Sequence, residues 1–226
     1  GNPYEFYGLQ ANGVYSTQAE ASEAALTNSS NQAYSAGDVR YVDQNNDGRI
    51  DSKDYVSLGS ATPDYFGGFY TNIRYKHFAL AAEFFYSKGN EAYNAVRRTL
   101  ESVSSFSNQS VAVTNRWNVE GQVTNIPRAS YGDAIGNNNF SSRWIEDASF
   151  LRMKSITLSY NFDKPVWNFF RSGTIYVTGE NLLTATKYLG MDPEFAYSSG
   201  SNATQGFDYA KVMQPKSVKL GINLKF

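Results

Sequence analysis

Apolar and polar residues alternate strictly in several stretches of this chain. From position 65, Tyr65, Gly67, Phe69, Thr71, Ile73 and Tyr75 alternate with Phe66, Gly68, Tyr70, Asn72, Arg74 and Lys76. From position 78, Phe78, Leu80, Ala82, Phe84 and Tyr86 alternate with His77, Ala79, Ala81, Glu83 and Phe85. A period of two is that of a β-strand, so the two runs predict a hairpin with a very short turn at Lys76-His77. Residues 149–162 (SFLRMKSITLSYNF) form a further strand. In it Leu151 and Met153 share one parity, and Ile156, Leu158, Tyr160 and Phe162 the other. That slip predicts a bulge near Lys154-Ser155. Residues 173–183 (GTIYVTGENLL) rise again, and Val218, Leu220, Ile222, Leu224 and Phe226 alternate with Lys219, Gly221, Asn223 and Lys225 in a last strand. Residues 3–15 (PYEFYGLQANGVY) are a weaker candidate, interrupted at Gly8 and Gly13.

Runs of this length, greasy on one face and polar on the other, suit tilted strands of about 9–11 residues crossing a membrane. The pattern therefore predicts an all-β fold, an antiparallel transmembrane β-barrel. Short turns then face the periplasm, and long loops near 16–64, 87–147 and 184–214 face outward. Five good strands and one weak one do not close, since single-chain barrels begin at about eight strands and lipid tolerates no open sheet edge. The chain is expected to be a portion of a larger barrel. Two helices are expected in the loops. Thr17-Gln18-Ala19-Glu20 has capping-box spacing, and Ala92, Val96, Thr99, Leu100 and Val103 fall at helical spacing, predicting an amphipathic helix over 91–102.

Composition agrees. Of 226 residues, 15% are aromatic, led by Tyr 17 and Phe 15, while only 18% are charged; aromatic-girdled strands joined by polar loops have this balance. A net charge of -1 leaves no footprint for nucleic acid. The absence of cysteine excludes disulfides and thiolate metal sites. No apolar run approaches the roughly 18 residues of a transmembrane helix. Gly1 opens the chain with no secretory segment, which an outer-membrane protein needs, so processing or a longer parent is expected. Val166, Trp167, Phe169 and Phe170 suit an interfacial anchor.

Candidate chemistry is concentrated in one loop. Asp43, Asn45, Asp47, Asp51 and Asp54 occupy positions 1, 3, 5, 9 and 12 of a calcium-type loop, with Gly48 at the sharp turn and the Arg49 carbonyl at position 7. Ca2+ takes six to eight hard oxygens, and this spacing wraps them around one point. Asp54 stands where Glu is usual, and the flanks lack the helices of an EF-hand. The alternative is an acidic turn that binds nothing. His77, the only histidine, lies in a turn with no nucleophile or carboxylate beside it. Glu146, Asp147 and Glu180 are not paired for acid–base work, so no enzymatic site is expected. Trp117, Trp144, Tyr197 and Tyr209 either contact cargo or a lid, or pack beneath long loops.

Four stretches together resemble the SusC/RagA family of TonB-dependent transporters of Bacteroidota, in its C-terminal part. They are YEFYGLQANGVYSTQAEA (4–21), GDVRYVDQNNDGRIDSKDYVSLGSATPDYFGGF (37–69), SFLRMKSITLSYNF (149–162) and VTGENLLTATKYLGMDPE (177–194), followed by the terminal strand. The resemblance implies the C-terminal strands of a 22-stranded barrel plugged by an N-terminal domain that this chain lacks. It implies import of oligosaccharides or peptides, energised by the TonB complex through the absent N-terminal part. It implies a SusD-like lipoprotein as the lid. It implies outer-membrane lipids around the wall and the barrel assembly machinery as a partner, with Phe226 as the assembly signal. Ca2+ in the Asp43–Asp54 loop would stiffen the extracellular mouth. The alternative is a non-transporting barrel or adhesin with calcium-stiffened binding loops.

Overall fold

The computed structural model describes residues 4–162, 171–194 and 204–225. The chain divides into two compact units, one formed by Gly1–Thr62, Glu91–Asp147 and Phe195–Lys211, the other by Pro63–Asn90, Ala148–Glu194 and Val212–Phe226.

The second unit is one antiparallel sheet. Its strands are β1 (Tyr65–Tyr75), β2 (Phe78–Lys88), β3 (Phe150–Phe162), β4 (Ser172–Thr186) and β5 (Ser217–Lys225). They pair in the order β5-β4-β3-β2-β1, a meander. The hairpin expected from alternation is present, with Tyr75 opposite Phe78 across a two-residue turn. Lys76 takes the left-handed conformation at that turn and holds its ammonium over the Tyr75 ring. The expected slip is present too: the register of β3 shifts between Met153 and Ser155 against both neighbours.

Register shows why the alternation matters. Ile73 faces Leu80, Leu80 faces Leu158, Leu158 faces Val177 and Val177 faces Leu220, so one apolar row crosses all five strands. The row beside it repeats the pattern with Tyr75, Phe78, Tyr160, Ile175 and Ile222. The opposite face carries Arg74, Glu83, Ser155, Thr157, Thr178, Glu180 and Lys219. There the Thr157 and Thr178 hydroxyls bond each other at 2.8 Å, and Glu180 accepts from both Lys219 and Ser217.

The first unit folds in the opposite sense, around buried apolar clusters. Short strands Glu5–Gly8 and Val56–Ser60 pair, as do Ala11–Val14 and Val39–Tyr41. The weak strand expected over 3–15 is thus two short strands of this unit and not a sixth strand of the sheet. Helix α1 (Gln18–Ala24) starts where the capping box put it, with the Thr17 side chain accepting the Glu20 N–H. The helix expected over 91–102 is shorter. Glu91–Asn94 is a strand, antiparallel to Ile145–Asp147 and parallel to Phe207–Asp208. Helix α2 then spans only Ala95–Leu100, with Asn94 as its cap. Ala92, Tyr93 and Asn94 are buried, so pairing on both edges outweighs helical periodicity there. Asp38 is fully buried and joins loops from far along the chain. It accepts two bonds from Arg128 (2.8 and 3.1 Å) and one from the Asn137 amide (3.1 Å). No helix is long and apolar enough to cross a membrane among the described residues.

Candidate functional site

The apolar face of the sheet is the first functional surface. Leu220 is 81% exposed, Tyr75 68% and Ile73 59%, and no side chain among the described residues covers them. Each would gain about 1.5–3 kcal/mol on leaving water, so this face calls for an apolar solvent. Aromatic rings mark both of its ends. Phe78 and Tyr160 pack at 5.0 Å beside the short turn, and Tyr65 meets Tyr86 edge-on at 6.3 Å at the other end. An 11-residue strand such as β1, rising about 3.4 Å per residue and tilted by roughly 40°, reaches about 25–29 Å. That matches the apolar band of an outer-membrane barrel, about 25 Å tall.

The polar face holds a cluster that sequence reasoning missed. Arg152, 3% exposed, donates to the Thr184 hydroxyl at 3.0 Å, to Glu194 at 2.8 Å and to Asp192 at 2.5 Å. Lys154 adds two bonds to Glu194 at 2.8 and 2.7 Å. Burial works to raise the Asp192 carboxyl, but Arg152 and the N–H groups of Gln214 and Glu194 outweigh it and hold it below the usual range. These partners lie about forty positions apart in the chain, so no local motif announces them.

The Asp43–Asp54 loop is a run of side-chain-to-backbone turns. Asp43 accepts the N–H groups of Asp47 (3.3 Å) and Gly48 (2.8 Å), Asn45 accepts that of Asp47 (3.0 Å), and Asp47 accepts that of Arg49 (3.0 Å). Asp51 accepts from Lys53 at 2.8 Å. Gly48 supplies the positive φ of +79 that the turn demands. Asp54 is fully buried and accepts from Gln44 and Asp51, both at 2.9 Å. The Asn45 amide, joined by the Arg49 N–H and the Lys53 charge, holds the Asp47 carboxyl below its ordinary range. In kind, these oxygens suit a hard cation. In this conformation, however, no three acidic or imidazole groups stand close enough to hold a metal among the described residues. A cation would have to draw the side chains inward.

The other candidates separate. Trp144 is fully buried among Phe6, Ala61, Tyr93 and Ala95. Its indole N–H donates to the Asn139 carbonyl at 3.2 Å, and the Arg143 guanidinium lies 4.3 Å from its ring. It has no surface for cargo or a lid, and the core reading replaces that expectation. Trp117 is half-buried, packed on Gly37 and bonded to the Ser16 carbonyl at 3.0 Å. Tyr209 is half-exposed and stacks parallel to Phe207. Tyr197, Phe226 and the Val166–Phe170 patch lie outside the described residues. One cleft that the sequence did not signal, about 560 Å³, is lined by Tyr4, Glu5, Phe6, Tyr7, Phe140, Gln205 and Phe207. Gly8 lets the Phe140 ring lie against its strand, since a Cβ there would come within 2.7 Å of that ring.

An antiparallel meander with one lipid-suited face, one ion-paired face and elaborate loops has the pattern of a length of transmembrane β-barrel wall. Comparison with known proteins narrows this. No protein-family model matches the chain. It is 31% identical over 226 residues to the TonB-dependent receptor P26 of Formosa agariphila, covering 98% of this chain and 22% of that protein. It is 29% identical over 193 residues to the TonB-dependent receptor SusC of Bacteroides thetaiotaomicron, covering 82% of this chain and 17% of SusC. Among solved structures, the RagAB peptide importer in its open-open state matches with a TM-score of 0.74 at 23% identity, over 100% of this chain and 23% of that one. The chain is homologous to a segment of TonB-dependent receptors of the SusC/RagA kind, spanning about a fifth of their length.

Proposed function

We propose that the chain forms part of the wall and loops of a TonB-dependent importer in the bacterial outer membrane. The whole receptor takes up oligosaccharides or peptides with a SusD-like surface lipoprotein as its lid. The observation that carries this reading is the five-stranded sheet, apolar on one face and ion-paired on the other, in a chain whose relatives are named TonB-dependent receptors. In the complete protein, about 22 strands close around a plug, and segments outside this chain reach the TonB complex. The apolar face meets lipid, the polar face meets the lumen, and the Asp43–Asp54 loop is extracellular. The peptide importer named among the structural neighbours supports peptide cargo; the half-exposed Tyr209 suits a peptide or a glycan equally.

The test is uptake of labelled oligopeptides and neutral oligosaccharides by cells with and without the receptor, each in TonB-positive and TonB-negative backgrounds. Import lost on removing either component supports the reading, and import indifferent to both overturns it. Co-purification of a lipoprotein with the tagged receptor tests the lid.

For the Asp43–Asp54 loop we propose Ca2+, held by Asp43, Asn45, Asp47, Asp51 and Asp54 with the Arg49 carbonyl, serving to stiffen the loop. Added Ca2+ should raise protease resistance of this loop in the wild-type receptor and leave Asp47→Ala unchanged. Identical responses to Ca2+ in both proteins refute the site.

A further inference from the structure

Arg152 stands on the polar face of β3, level with Phe85 on β2 and Thr184 on β4. Nothing in the strand ladder requires its charge, because the ladder is held by backbone hydrogen bonds. Its partners come from the connection between β4 and β5. Asp192 gives one oxygen to Arg152 and to the Glu194 N–H, and its other oxygen accepts the Gln214 N–H at 3.1 Å. Asp192 and Glu194 belong to the limb leaving β4, Gln214 to the limb returning to β5. The Asp192 carboxylate therefore joins both limbs, and the Arg152 guanidinium holds that carboxylate to the sheet. The side on which it does so is fixed. Phe150 and Phe85, which share that face, lie against the Arg152 and Lys154 cations at 5.7 Å each, while the apolar rows lie on the other face. The pair is desolvated, with Arg152 3% and Asp192 4% exposed, so removing either partner strands a buried charge.

We infer that Arg152 is a positioning residue that pins the limbs at Asp192–Glu194 and Gln214 onto the lumen side of the barrel wall, where they narrow the path of the cargo. This rests on the importer reading only in taking the polar face to line a lumen. Ion pairing suits the task better than apolar contact. The two limbs meet a polar face, and Lys154 and Arg152 together neutralise the Asp192 and Glu194 carboxylates brought there. The clasp lies near the loop end of the sheet, whereas the Thr157–Thr178 pair lies deeper.

The experiment uses the complete receptor in its native outer membrane. A cysteine at Thr178 reports access to the polar face from outside, read as its labelling rate by a maleimide carrying a polyethylene glycol chain. Asp192→Asn with Glu194→Gln should raise that rate about tenfold, whereas Arg152→Lys, which keeps a cation, should leave it within about twofold of wild type. Heat-modifiable migration checks that each variant is assembled. If the double variant does not assemble, Glu194→Gln alone, at the more exposed partner, should still raise the rate about threefold. Equal rates in the assembled variants and the wild type overturn the inference. Labelling requires no transport. A clasp effect without TonB-dependent uptake would therefore sink the importer reading alone, and uptake without a clasp effect would sink the clasp alone.

Discussion

The two units place the same kinds of side chain in opposite ways. In the sheet, large apolar residues such as Leu220, Ile73 and Tyr75 point outward and the buried side chain of note is an arginine, Arg152. In the other unit, Trp144, Tyr15 and Val39 are buried around short irregular strands, and the exposed surface is largely polar. One chain is thus written for two solvents. Hydrophobic burial drives the loop unit in the ordinary way. The sheet is held by its ladder and becomes favourable only when its outer face leaves water for lipid.

Substitutions can break this contrast. The largest effect is expected from Trp144→Ala, which empties a fully buried site and should cost about 3–5 kcal/mol. Limited proteolysis should show the loops cut while the strands stay protected. Next is Leu220→Arg, expected to cost about 2–4 kcal/mol near the bilayer midplane. The urea midpoint of the receptor refolded in lipid vesicles reads it, and Thr178→Arg on the opposite face should cost far less. Equal costs on the two faces would contradict the assignment of lipid and lumen. A pH titration sharpens the contrast further. The Asp192 carboxyl is lowered in the folded state, so its stabilisation is complete above the ordinary carboxylate pKa near about 4 and is lost as pH falls through the lower folded value. Asp192→Asn should flatten that acid limb of the stability curve. The smallest effect is expected from Thr17→Ala, about 1 kcal/mol through the lost cap, read as faster amide exchange in α1 with the sheet unchanged.

How much was legible follows the same division. The hairpin, the bulge and the terminal strand could be read because lipid and water impose a strict period of two on neighbouring residues. In the loop unit, pairing partners are distant in sequence. Asn94 could be read as a helical residue but not as the cap that ends a strand, because Ile145–Asp147 and Phe207–Asp208 supply the competing edges. Trp144 could be read either as a contact or as packing, because an aromatic in a long loop carries no mark of burial. The Arg152 clasp was invisible because charges separated by forty positions say nothing of their meeting. The Asp43–Asp54 loop is the exception, since its hydrogen bonds are local and follow its spacing.

The bulge at Lys154 has a consequence for how such a chain can change. Upstream of it, Leu151 and Met153 reach the outer face at odd positions; downstream, Ile156, Leu158 and Tyr160 reach it at even ones. The strand thus carries two reading frames joined by one residue. Point substitutions along it are absorbed locally, whereas loss of Lys154, or gain of one residue elsewhere in the strand, would turn half of it inside out. Lineages of this wall should therefore drift freely by substitution, keep strand lengths fixed, and confine insertions and deletions to the connections between strands.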